Sequence, residues 1–93
     1  MSHIQGNLQT VFDALYELGV IDPVLKMDWG RRLAEIEDGS PELNHAVTIV
    51  NHCGSDRNRL KVELGRLDRS ALEVLAMEVA REYAEFHARQ ALH

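Results

Sequence analysis

His45, His52 and Cys53 are the side chains in this sequence whose types most readily suggest chemistry, since imidazole and thiolate both ligate metals. Their spacing argues against a single-ion site within one helix. His45 and His52 are seven positions apart, about 10 Å of helical rise, whereas each ligand must come within about 2 Å of the ion. Cys53 belongs to the opposite, apolar side of the same helix. As a nucleophile it has His52 next to it in sequence, but neighbouring helical residues point about 100° apart, so His52 is badly placed as its base. No oxyanion or G-x-S-x-G sequence accompanies it. The preferred reading is a polar helix face of Asn44, His45, Thr48, Asn51 and His52 backed by a buried structural cysteine. A metal or redox sensor that uses His45, His52 and Cys53 across a dimer stays open as an alternative.

Two further groups of charges could carry function. Glu35, Glu37 and Asp38 cluster, as do Glu78, Glu82 and Glu85. A general acid needs a desolvated carboxylate, and these positions are expected on solvated helix faces, with Arg81 near Glu78 at i+3. The segment Leu64-Gly65-Arg66-Leu67-Asp68-Arg69-Ser70 resembles the turn of a helix-turn-helix, and basic residues stand at 57, 59, 61, 66 and 69. Between Ser70 and Val79, however, there is no Arg, Lys, Asn or Gln to read base edges. A nucleic-acid regulator acting through segment 57–69 is therefore a second, weaker alternative.

The elements that would position these groups are helices. Leu8, Val11, Phe12, Leu15 and Leu18 share one face of a first helix, with Asn7 as its cap and Gly19 as its stop. Asp22-Pro23 starts a second helix with the stripe Leu25, Trp29, Leu33 and Ile36, and Asp38-Gly39 ends it. Ser40-Pro41 starts a third, burying Leu43, Ala46, Val47 and Val50. If that helix continued past Gly54, Arg57 would fall in its apolar stripe, which is costly for an unpaired charge. A break at Gly54 and a fourth segment from about Asp56 to Leu64 follow. The alternation of Leu60, Val62 and Leu64 leaves a strand paired with another chain as the alternative. Asp68 caps a last helix, Leu67 and Leu72 staple it, and Leu72, Leu75, Ala76, Val79, Tyr83 and Phe86 form its stripe. The helix is expected to fray from Ala88.

The last helix also carries a second stripe of Met77, Ala80, Ala84 and Ala88, with Val74 at its edge. Small residues allow close approach, and Met packs adaptably. The stripe either receives another helix of the same bundle or forms an interface. Val74, Met77, Ala84 and Ala88 are the candidate partner-binding residues.

Length and composition set the class. Ninety-three residues make one helical domain spanning 1–93, with frayed ends at about 1–7 and 89–93. Hydrophobic residues make up 45%, enough for a core, but only five residues are aromatic, so the core must rest on aliphatic side chains. The net charge of −5 lies in the first 50 residues, which hold three basic and eight acidic side chains, while the rest is balanced. An acidic chain suits a basic partner patch better than phosphate. One cysteine forbids an intrachain disulfide, no apolar run reaches the roughly 20 residues of a membrane span, and no secretory signal is evident. The expectation is an all-α, compact bundle of four to five helices with a long C-terminal helix, in the cytoplasm. No cofactor, resident metal or catalytic set is implied. The expected activity is that of a small acidic protein-binding module (a regulator, inhibitor or accessory subunit), its partner another protein or a second copy of itself.

Overall fold

The computed structural model describes residues 8–36, 41–54 and 56–91, and its secondary structure there is entirely helical. The helices are α1 (Leu8–Glu17), α2 (Ile21–Leu25), α3 (Trp29–Ile36), α4 (Pro41–Cys53), α5 (Arg57–Leu64) and α6 (Arg69–Ala91). No helix among the described residues is long and apolar enough to cross a membrane. The segments 1–7 and 37–40, with the expected Asn7 cap, the Asp38-Gly39 stop and Ser40, lie outside the described residues.

Gly19 closes α1 with φ +76°. The Val20 amide donates to Leu15 O at 3.1 Å and the Gly19 amide to Tyr16 O at 3.0 Å. This pair of bonds satisfies carbonyls that the helix end would otherwise leave open, and it folds Val20 into the core, where it is fully buried. Gly54 repeats the left-handed stop after α4 with φ +63°. The chain restarts at Asp56, whose carboxylate accepts from the Arg59 amide at 3.2 Å and caps α5. The break has the expected consequence: Arg57 is exposed, 3.7 Å from Glu17 of α1, rather than trapped in an apolar stripe. Segment 57–64 is a helix, not a strand.

The expected second helix is two helices. Val20, not Asp22, holds the N-cap position of α2, and Asp22 and Pro23 lie in its first turn. After Leu25 the chain turns, with the Met27 amide donating to Val24 O at 3.1 Å, and restarts at Asp28, whose carbonyl accepts from the Arg32 amide at 3.2 Å. The turn buries Ile21 and Val24 and leaves Leu25 48% exposed, which removes Leu25 from the expected stripe. Trp29 is half-buried and Leu33 is buried. Asp28, a residue type that favours N-caps, was the overlooked signal.

The long helix α6 packs against α1, α2, α3 and α4, while α5 lies on α1 and α4. At about 1.5 Å per residue, its 23 residues run nearly the full 36 Å of the molecule's longest dimension. From Leu75 to Ala80 every residue of α6 is buried. The core is aliphatic, with Leu15, Ile21, Leu60, Leu64, Leu75 and Met77 among its largest fully buried side chains. Two expectations about α6 change as a result. Phe86 is not core but 50% exposed, because the bundle ends before that turn of the helix. Glu78 is not solvated but 3% exposed, since a helix packed on several sides leaves no free face at that level. The helix also runs regularly to Ala91, three residues beyond the start of the expected fraying.

Leu60→Ala should destabilise the fold by about 2–5 kcal/mol, the cost of emptying a buried aliphatic site. Phe86→Ala should cost less than about 1.5 kcal/mol, because half of that ring is already in water. Urea melts of both variants check this, and equal losses would mean that the α6 end is packed inside the bundle.

Candidate interaction surface

The polar side of α4 is as the residue pattern demands. His45, Thr48 and His52 are exposed and Cys53 is buried, although Cys53 is not on the opposite side of the helix: it lines one cleft with Thr48 and His52. Thr48 donates to Asn44 O at 2.8 Å, so part of that face serves the helix itself. Among the described residues no group of three or more His, Cys, Asp or Glu side chains is arranged to hold a metal ion. The Cys53 thiol is pushed above the ordinary range by burial; Arg59 pulls the other way, and Glu63 and Asp56 add to the rise. Its thiolate is therefore scarce at neutral pH, the opposite of an activated nucleophile.

The basic segment that could have met nucleic acid is largely engaged within the protein. Arg57 and Lys61 both reach Glu17 of α1, at 3.7 and 3.5 Å. Arg66 lies 3.5 Å from Glu63, and Arg69 donates to Gly19 O at 3.4 Å. These contacts tie α5 and the start of α6 to α1. Each exposed pair adds little stability by itself, and Glu17 and Glu63 together offset part of the positive charge that phosphate binding would need.

Among the described residues Glu78 is the carboxylate buried in the core, and Arg81 one turn on is its partner. Arg81 also donates to Glu85 at 2.8 Å. Burial works against the Arg81 charge, but the hydrogen bond and charge of Glu78, and then those of Glu85, outweigh it and raise the Arg81 pKa. The trio carries charge from the packed part of α6 to its exposed part. A charge removed from it would leave the other buried and unpaired.

The four positions singled out on the second stripe separate at the same boundary. Met77 is 1% exposed, and Val74 is half-buried against the core. Ala80 is buried too, so up to this point the stripe receives the molecule's own helices. Ala84 and Ala88 lie beyond the bundle and are exposed. The sequence pattern alone could not mark where the body of the bundle ends along a continuous stripe.

Beside that exposed end lies a surface built on Tyr83 and Phe86, which helical periodicity alone places in the core. Tyr83 packs on Phe12 of α1 with ring centroids 5.2 Å apart, and its hydroxyl donates to Gln9 Oε1 at 2.7 Å. These contacts anchor α6 to the start of α1. One turn of α6 later, Phe86 stands at the rim of a hollow of about 260 Å³ that Leu8, Gln9 and Tyr83 complete. His87 flanks it, stacking obliquely on Tyr83 at 4.7 Å and meeting Phe86 edge-on at 5.8 Å. The signal that could have found it was the length of the helix: its apolar residues continue after the other helices have ended.

No family model, curated protein or solved structure matches this chain.

Cys53 should react with an alkylating reagent at neutral pH at least about tenfold more slowly in the folded protein than in urea, and its rate should keep rising above the pH at which an ordinary thiol levels off. Stopped time-point mass spectrometry follows the adduct. Equal rates in the folded and unfolded protein would contradict the buried placement.

Proposed function

We propose that this chain is a small acidic protein-binding module that acts through the exposed end of α6, as a regulator, inhibitor or accessory subunit, without catalysis of its own. The observation that carries this reading is Phe86. It is a large aromatic side chain, half exposed, at the rim of an apolar hollow on a well-anchored helix. Rigid aromatic residues beside a pocket are the groups that dominate protein interfaces. Ala84 and Ala88, on another side of the same turns, let a partner backbone approach closely.

The occupant that fits best is another protein that offers an apolar side chain to the hollow and basic residues around it. Glu85 is exposed next to Phe86, and Glu82 lies one helical turn before it. The whole chain carries a net charge of −5. Such a charge steers basic partners and works against pairing of two copies. The partly paired basic segment and the buried, poorly ionised Cys53 support this reading over a nucleic-acid or redox role.

A photo-crosslinking amino acid at position 86 should give a discrete adduct with one protein of the native host, weakened as salt is raised. The same probe at the exposed position 45 should not. Phe86→Glu should abolish co-purification of that partner while leaving the protein folded, at a stability cost close to that of Phe86→Ala, less than about 1.5 kcal/mol. Adducts of equal yield at both positions, or none at position 86, would contradict the proposal, and an adduct between two copies would replace the foreign partner with a dimer.

A further inference from the structure

The surface between α4 and α5 carries a second, independent feature. A cleft of about 310 Å³ opens there, near the lower end of the range for small-molecule pockets. Ile49 and the buried Cys53 supply its apolar lining, Thr48 and His52 its α4 edge, and Arg59 and Glu63 its α5 edge.

Arg59 differs from the cations around it. Arg57 and Lys61 of the same helix share Glu17, and Arg66, in the turn after it, lies against Glu63. Glu63 stands one turn after Arg59, the usual spacing for a helical ion pair, but among the described residues it is Arg66 that comes within ion-pair distance of it. Asp56 is engaged as the α5 cap, accepting from the Arg59 backbone amide at 3.2 Å. The Arg59 guanidinium therefore borders the cleft with no carboxylate within 4 Å of it among the described residues.

We propose that the α4–α5 cleft binds a small organic monocarboxylate, with Arg59 as the anchor. The planar guanidinium fork matches a carboxylate in two parallel hydrogen bonds. His52, on the facing helix, offers a ring N–H to the same end. Glu63 repels an anion from its own side, so the carboxylate turns toward Arg59 and His52 and the apolar body of the ligand lies on Ile49 and Cys53. The same Glu63 charge, within a chain of net charge −5, disfavours phosphates and polycarboxylates. A ligand of one negative charge and one ring or short branched chain fits these demands.

Benzoate is the probe, and benzamide its neutral counterpart of nearly equal shape. Titration of the ¹⁵N-labelled protein with benzoate should give saturable amide shifts confined to residues 48–53 and 59–63. Benzamide, and benzoate with Arg59→Gln, should each bind about tenfold or more weakly, the scale of a lost charge-assisted hydrogen bond. Arg59→Lys, which keeps the charge and loses the fork, should fall between. Unperturbed α6 signals in each variant show that the fold is intact, and Arg59→Lys decides the matter if Arg59→Gln does not fold. Absence of saturable shifts, equal binding of benzamide, or undiminished binding by both Arg59 variants would overturn the site.

Discussion

The structure depends on one helix being buried on several sides at once. From Leu75 to Ala80, α6 has no residue in solvent, and α1, α2, α3 and α4 all lie against it. A helix in that position must be apolar or small nearly all round, and Ala76 and Ala80 meet that demand beside Leu75, Met77 and Val79. The exception is Glu78. Its carboxylate is held in the core only because Arg81 lies one turn on, and Arg81 is in turn joined to Glu85. The remaining elements are short pieces arranged around this axis. Gly19 and Gly54 let the chain reverse sharply enough to bring them back to it.

The same constraint leaves an apolar surface at the end of α6. Four neighbours can cover a helix only as far as they reach, and α6 is longer than they are. Its two stripes continue past the bundle, so that Ala84, Phe86 and Ala88 meet solvent with the residue types of a core. Tyr83, fixed by Phe12 and Gln9, marks the last turn held by α1. An exposed apolar segment on a rigid, anchored helix is presented without the ordering cost that a flexible segment incurs on binding. The exposure of these residues follows from this mismatch of lengths.

Much of the architecture was legible in the sequence because local rules and burial agreed. The α1 stop at Gly19, the Gly54 break and the Asp56 restart each combined a turn residue, a cap and an apolar pattern that gave the same answer. The α2–α3 break was missed because the stripe Leu25, Trp29, Leu33 and Ile36 satisfied helical periodicity by itself. The competing burial of Val20, Ile21 and Val24, visible only in three dimensions, won. The fates of Glu78 and Phe86 were misjudged for a shared reason. Periodicity assigns faces to a helix but carries no information on how many neighbours surround it at each level. That information lies in the packing of elements distant in sequence, and it turned a supposed surface carboxylate into a core residue and a supposed core ring into a surface one.

Hydrogen exchange along α6 tests the central claim most directly, because backbone protection reports burial level by level along one continuous helix. The account requires strong protection of the amides from Leu75 to Ala80, comparable with that of the core residue Leu60, and a steep fall beyond Tyr83. Uniform protection from Leu75 through Ala88 would contradict it, since the end of α6 would then be packed inside the molecule and Phe86 would have no free surface to offer.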